Sequence, residues 1–177
     1  FMGGYDLGLE VAVQLAEVLQ ERLRPPLPGA VELMIAGQAP EGLRRHWDAR
    51  SRVRLSWAGL VESSSIPALD RSAHLLYSAD INAACPNSAI EALACGLPVA
   101  AFDTGALAEL IQGDAGRVVP YGGDPWRLDP PDVAALAEAA LEIVSQPERF
   151  RPGARRRAEQ AFGLDSMVES YLEALLG

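Results

Sequence analysis

The chain has 177 residues, of which 49% are hydrophobic and 22% are charged, and its formal net charge is −9. A single domain of this length buries a substantial core, and no apolar run approaches the roughly 20 residues that a membrane-spanning helix needs. The acidic balance argues against a nucleic-acid surface. All 15 basic residues are Arg, so any role that requires Lys is either missing or filled by Arg.

Helices and strands alternate along the chain. In chain order, the pattern predicts helix 6–23, strand 31–36, helix 40–50, strand 53–58, a short helix at 66–72, strand 74–77, helix 86–95, strand 99–102, helix 105–111, strand 117–119, a loop at 120–131, helix 132–145, a helix from 155 onward and helix 165–176. Apolar strands separated by helices form right-handed βαβ units. The sequence therefore predicts an α/β, Rossmann-like doubly wound parallel sheet, whose ligands bind at the carboxyl ends of the strands.

The two cysteines flank one predicted helix. Cys85 and Cys95 would lie ~15 Å apart at a rise of about 1.5 Å per residue, too far for a disulfide. Two free thiols fit a reducing, cytoplasmic compartment. Neither His46 nor His74 has a further ligand at metal-binding spacing, so we expect no metal site.

The most informative segment is 85–99, with the sequence CPNSAIEALACGLPV. Pro86 suits the first helical position, and Asn87 and Ser88 offer side-chain oxygens to the free amides of the first turn. Gly96 suits the left-handed position just past the helix end. Because a helix start presents free N–H groups and a positive dipole end, this segment predicts a phosphate site.

Glu91 lies on the same helix face, three residues after Ser88 and four after Asn87. A carboxylate one turn behind a phosphate site can accept two hydrogen bonds from a ribose diol. The alternative is an exposed helix face without function, and the residues alone do not choose between the two. The combination indicates a nucleotide, and in particular a nucleotide-sugar.

The segment EALACGLPV, from Glu91 to Val99, closely resembles the donor-binding motif of the retaining glycosyltransferases of family 4, which have the GT-B fold. Cys85-Pro86-Asn87 matches one branch of that family. The resemblance continues through TGALAEL at 104–110 and GRVVP at 116–120. It implies that residues 1–177 form the C-terminal, donor-binding half of a GT-B enzyme, and that the N-terminal acceptor-binding domain is absent from this sequence.

The resemblance also implies roles for individual residues. Glu91 would hold the ribose, and the helix start at Pro86, Asn87 and Ser88 would face the phosphates. The other candidates are Gly59 and Leu60 beside the base, Thr104 and Gly105 at a second helix start (as ligand contacts or a simple cap), and Gly3 and Gly4 in a glycine-rich turn after a strand that lies mostly before residue 1. The expected donor is a nucleoside diphosphate sugar such as a UDP-sugar, used in polysaccharide biosynthesis without a metal or further cofactor.

Three positions depart from the family pattern. The first acidic residue of the motif falls on Ala83, although Asp80 and Asn82 are close enough to substitute through a loop shift. The family's Lys falls on Leu7, and its Arg falls on Phe1 or Met2. Each preorganised cation at a developing diphosphate stabilises the transition state by ~3 kcal/mol or more. Since none of the three positions carries the family's charged residue, we assign no catalytic residue.

Three functions therefore remain open. The first is retaining transfer of a sugar from a nucleoside diphosphate sugar to an acceptor held by another domain. The second is a degenerate, non-catalytic module with a binding or regulatory role, and the third is one half of a nucleotide-sugar epimerase. We expect the Arg155–Arg157 run to be a solvated helix face, or to contact the other domain or an anionic membrane surface.

Overall fold

The computed structural model describes residues 4–23 and 30–176, with side chains from residue 8 onward in the first range. Helices and parallel strands alternate through both ranges. The helices are α1 (Gly4–Arg22), α2 (Glu41–Asp48), α3 (Ile66–Ser72), α4 (Asn87–Ala94), α5 (Leu107–Leu110), α6 (Val133–Ser145), α7 (Pro147–Ala161) and α8 (Leu164–Leu176). The strands are β1 (Glu32–Ala36), β2 (Arg54–Gly59), β3 (Leu76–Ser78), β4 (Val99–Phe102) and β5 (Gly116–Val119).

Most predicted elements, including α5, are confirmed within two residues of their ends, and α7 starts well before its predicted position. α7 begins at Pro147, eight residues before the predicted start at 155, because Pro147 occupies the first turn, where the missing N–H costs nothing. α5 is shorter than the predicted 105–111. Its start is delayed because Gly105 adopts a left-handed conformation, with φ of +56°.

The predicted α/β fold with parallel strands is confirmed. β1 pairs with β2, and β3, β4 and β5 pair in that order, with every pairing parallel. The described strands thus form two hydrogen-bonded groups. Helix α1 packs against both groups, because Val13 contacts the cluster around Ile35 while Val11 and Leu15 pack in the cluster that contains Phe102.

β4 is the centre of the larger group, and all four of its side chains are buried. Alternate strand residues point to opposite faces. Val99 and Ala101 therefore pack with α4, whereas Ala100 and Phe102 pack with α1 and α6. Helices cover both faces of the sheet, and this is the doubly wound arrangement that the sequence predicts.

Helix α7 binds the carboxyl ends of neighbouring helices through Arg side chains. Arg151 donates to the main-chain oxygen of Ala73, directly after α3, at 2.9 Å. Arg155 donates to the main-chain oxygen of Ala94, the last residue of α4. The final carbonyls of a helix receive no hydrogen bond from within the helix. A guanidinium at this position donates to them, and its positive charge interacts favourably with the negative end of the helix dipole.

A third Arg of α7 does the same for α5. Arg157 donates to the main-chain oxygens of Glu109 at 2.6 Å and Leu110 at 3.0 Å. The prediction that 155–157 is a solvated helix face therefore holds for Arg155 and Arg156, which are exposed, and is wrong for Arg157, which is half-buried. Arg155 stays exposed although its guanidinium donates to a main-chain carbonyl.

Close contact between α7 and the segment before β5 depends on Gly153. A Cβ at this position would lie 2.2 Å from the main-chain oxygen of Asp114. Arg149 of the same helix pairs with the Asp114 carboxylate at 2.8 Å. The helix therefore lies directly on the backbone of residue 114.

We predict that Gly153→Ala destabilises the protein by about 1–3 kcal/mol, the range typical of overpacking, because the added methyl group meets main-chain atoms that cannot rotate away. The matched control is Gly42→Ala in α2, where a Cβ would meet nothing within 4 Å. That change should stabilise the protein by about 0.5–1 kcal/mol, since Ala is the better helix former. Urea unfolding measures both. Equal effects of the two substitutions would contradict the packing of α7.

Candidate functional site

The candidate site is built around the start of α4, which follows β3 at the carboxyl edge of the sheet. Pro86 has φ of −73° and ψ of 100°, and this extended ψ makes it the residue before the helix. The prediction that Pro86 is the first helical residue is therefore wrong by one position. Its ring is buried and fixes where the helix begins.

Asn87 and Ser88 form the first turn, and both side chains are exposed. Among the residues that the structure describes, no side chain caps the start of α4, so the predicted capping by Asn87 and Ser88 is wrong. Pro86, which occupies the capping position, has no side-chain acceptor to offer. Since the first amides of a helix also lack acceptors within it, the N–H groups of residues 87 and 88 are available to an anion.

Glu91 lies one turn further along the exposed face of α4. Its neighbours Ala92 and Leu93 are fully buried, whereas the Glu91 side chain is exposed. Within residues 4–23 and 30–176, no hydrogen bond or ion pair holds its carboxylate. Glu91 is thus free to accept hydrogen bonds from a ligand beside the helix start.

A second carboxylate faces this position and was missed in the sequence. Asp70 of α3 is half-buried, and α3 packs against α4. Burial raises the pKa of Asp70, the negative charge of Glu91 raises it further, and Arg71 partly offsets both effects. No sequence signal marks Asp70, because only the packing of α3 on α4 brings it to Glu91.

We predict that Asp70→Asn stabilises the protein at pH 7 but not at pH 3. Because the pKa of Asp70 is raised on folding, its protonated form is favoured in the folded state. The stability that the protonated carboxyl contributes is lost as the pH rises through the pKa of Asp70 in the folded state, which lies above the usual Asp value of about 4. Removing the ionisable group should gain about 0.5 kcal/mol or less, or about 1–2 °C in Tm, since the site is partly solvated.

Thermal unfolding from pH 3 to pH 7 measures this effect. In a Glu91→Gln background, the gain from Asp70→Asn should shrink, because part of the unfavourable interaction has already been removed. A gain that is independent of both pH and Glu91 would contradict the proximity of the two carboxylates.

The turn after β4 holds the loop after β3 in place. Thr104 is 4% exposed, and its hydroxyl donates to the main-chain oxygen of Asp80 at 3.2 Å. The N–H of Ala106 donates to the main-chain oxygen of Ala83 at 3.0 Å. At Gly105, a Cβ would lie 2.3 Å from that same oxygen. Thr104 and Gly105 therefore have a structural role, and their contact with a ligand stays a prediction.

Gly59 and Leu60 lie at the carboxyl end of β2. Gly59 has φ of +67°, and its carbonyl accepts from the N–H of Gly37 at 2.7 Å, which joins the ends of β1 and β2. Leu60 is 73% exposed. The role of this pair beside a base stays a prediction.

The candidates near the chain start have different outcomes. Gly4 is the first residue of α1, so the predicted glycine-rich turn does not include it, because the backbone is already helical there. Phe1, Met2 and Gly3 lie outside the described residues, as does the side chain of Leu7.

Cys85 and Cys95 are both free thiols, which confirms that they do not bridge. In the described part of the chain, no group of three or more His, Cys, Asp or Glu side chains could hold a metal ion. None of the helices described there has the length and apolar character needed to cross a membrane.

A cavity opens at the carboxyl ends of β3 and β4. Its polar lining comes from Ser78, Asp80, Thr104 and Tyr121, and Gly8 of α1 also lines it. Ser78 donates to the Asp80 carboxylate at 3.3 Å. Sequence reasoning missed Tyr121, although its position two residues after β5 places it at the ligand-binding edge.

Solved structures with this arrangement are GT-B glycosyltransferases. The chain superimposes on TarM of Staphylococcus aureus with a TM-score of 0.71 and 17% identity, covering 93% of this chain and 32% of TarM. It superimposes on HepE of Anabaena, solved with UDP-glucose, with a TM-score of 0.63 and 21% identity, covering 94% and 44% of the two chains. The fold is therefore that of a GT-B glycosyltransferase domain.

The chain belongs to the group 1 family of glycosyl transferases, whose profile matches residues 4–146. It is 33% identical over 152 residues to the GDP-mannose-dependent alpha-(1-6)-phosphatidylinositol dimannoside mannosyltransferase of Mycobacterium tuberculosis, covering 81% of this chain and 35% of the relative. It is 30% identical over 128 residues to the 2-deoxystreptamine N-acetyl-D-glucosaminyltransferase of Streptomyces fradiae, covering 70% and 28%. The chain thus spans about a third of the length of these relatives.

Proposed function

We propose that this chain is the donor-binding half of a retaining glycosyltransferase. It binds a nucleoside diphosphate sugar, and the bond between the anomeric carbon and the phosphate oxygen breaks as a new bond forms to an acceptor hydroxyl. The nucleoside diphosphate is the leaving group. The acceptor is held by a separate N-terminal domain, which meets the donor across the carboxyl edge of the strands, and the reaction takes place in the cytoplasm.

The observation that carries the proposal is the unpaired carboxylate of Glu91 beside the start of α4. A nucleoside diphosphate offers two hydroxyl donors on its ribose and negative charge on its phosphates. Glu91 matches the first feature, and the unpaired amides of Asn87 and Ser88 match the second. The phosphate charge is met here by helix amides and dipole, so the proposal requires neither a metal nor a further cofactor.

The proposal extends to the base and the sugar of the donor. One relative is named for GDP-mannose and another for N-acetylglucosaminyl transfer, while HepE was solved with UDP-glucose. The exposed Leu60 supports an apolar contact with either base and does not distinguish guanine from uracil. The names of these relatives support a GDP- or UDP-sugar as the donor, and direct binding identifies which.

We predict that the protein binds UDP or GDP in preference to ADP, and that Glu91→Ala lowers that affinity about 100-fold or more. The reason is the loss of two hydrogen bonds to a charged acceptor, each worth about 1.5–3 kcal/mol. Titration calorimetry with the three nucleotides measures both statements.

The matched control is Glu169→Ala, which removes another exposed Glu from the middle of a helix, on α8. It should leave the affinity unchanged. Binding that survives Glu91→Ala would contradict the ribose assignment, and the absence of binding to all three nucleotides would contradict the donor domain itself.

A second candidate function is supported by Ala83. This residue occupies the family's acidic position, and its main chain is held by Gly105 and Ala106, so the loop presents a methyl group where a carboxylate is expected. The chain would then be a binding or regulatory module that retains the fold without the chemistry.

Ala83→Glu combined with Leu7→Lys separates the two functions. In the presence of an acceptor domain, a degenerate module should gain transferase activity with the double variant, whereas the parent should show none. Transfer of labelled sugar from the donor to the acceptor measures this gain. A parent protein that already transfers sugar would contradict the degenerate module.

A further inference from the structure

The cavity at the carboxyl ends of β3 and β4 is lined by a residue whose polar group has no partner in the described part of the fold. Tyr121 is 5% exposed, and its hydroxyl has no hydrogen-bond partner in the described residues. Leaving a buried hydroxyl unpaired typically costs about 1–3 kcal/mol. Such groups are rare in folded proteins and require an explanation.

The ring of Tyr121 is held firmly, so its hydroxyl has a defined position. It packs edge-on against Phe102, with ring centroids 5.3 Å apart and planes at 70°. Its main-chain oxygen accepts from the N–H of Asp132 at 2.7 Å, which closes the loop after β5. Burial and the charge of Asp129 raise the pKa of Tyr121, so the hydroxyl keeps its proton and remains a donor.

Asp80 supplies an acceptor in the same cavity. Ser78 donates to Oδ2 of its carboxylate at 3.3 Å, and Thr104 holds its main-chain oxygen at 3.2 Å. Within the part of the chain that the structure describes, Oδ1 of Asp80 has no hydrogen-bond partner. Two residues that line the cavity therefore carry unpaired groups: the buried Tyr121 has a donor, and the exposed Asp80 has an acceptor.

The size of the cavity restricts what it can take. Its enclosed part has room for about one water-sized group, and it is open on one side. A hydroxyl group is that small, and it can accept from one neighbour while donating to another. A carboxylate or phosphate is larger, and either would be repelled by the Asp80 charge.

We propose that this cavity is a subsite for one hydroxyl group of the bound ligand, with Tyr121 donating to that hydroxyl and Asp80 accepting from it. The inference rests on the proposed function, in which the hydroxyl belongs to the sugar of the donor. Asp80 then provides a carboxylate for the sugar, three residues before Ala83. A tightly bound water is the other source of a hydroxyl in this cavity.

Tyr121→Phe tests the subsite because it removes only the hydroxyl. The affinities of GDP-mannose, GDP, UDP-N-acetylglucosamine and UDP are measured by calorimetry. We expect the affinity for the bound sugar nucleotide to fall about 2- to 10-fold, as for loss of one neutral hydrogen bond, while the affinity for its parent nucleotide is unchanged. Asp80→Asn should cause a larger fall with the same selectivity, and Tyr171→Phe on the exposed face of α8 should cause none.

The stability of the ligand-free protein distinguishes the two sources of the hydroxyl. If the subsite awaits a sugar, Tyr121→Phe removes an unsatisfied group and should leave the Tm unchanged or raise it. A lower Tm would mean that a structural water satisfies Tyr121, and it would overturn the proposal. An equal loss of affinity for the sugar nucleotide and its parent, or no loss for either, would overturn it as well.

Failure of the proposed function can be distinguished from failure of the subsite. If the wild-type protein binds none of the four probes, the proposed function fails and the subsite fails with it. If nucleotides bind and Glu91→Ala abolishes that binding while Tyr121→Phe has no selective effect, the donor site stands and only the subsite is wrong.

Discussion

The rest of this structure depends on the hydrogen bonds that Arg side chains of α7 donate to the carbonyls at the ends of three short helices. α3, α4 and α5 have 7, 8 and 4 residues, and helices this short are unstable in isolation. Arg151, Arg155 and Arg157 bind the end of each of them from α7. The planar, forked guanidinium is well suited to bridging main-chain oxygens. The use of Arg for every basic residue therefore helps to stabilise the fold at these helix ends.

Anchoring the carboxyl ends of α3 and α4 also fixes the position of their functional residues. Asp70 lies on α3 and Glu91 on α4, so the approach of these carboxylates follows from the packing of α3 against α4. Thr104 and Gly105, in the turn after β4, set the path of the loop that carries Asp80. The candidate site is therefore assembled from three chain segments, held by hydrogen bonds to main-chain atoms.

Local patterns in the sequence predict the order of elements, the buried strand β4 and the exposed position of Glu91. Three features were beyond such patterns. The start of α7 at Pro147 was missed because prolines at 147 and 152 resemble a helix break, and the bonds of Arg155 and Arg157 depend on which helices end nearby. The orphan hydroxyl of Tyr121 depends on tertiary packing against Phe102, which no periodicity reports.

The most direct test of the account is a crystal structure of the protein with its preferred nucleoside diphosphate. We expect both ribose hydroxyls at hydrogen-bond distance from the Glu91 carboxylate, about 2.5–3.0 Å, and a phosphate at the amides of Asn87 and Ser88. A nucleotide bound with its ribose away from Glu91, or with its phosphates away from the start of α4, would contradict the account.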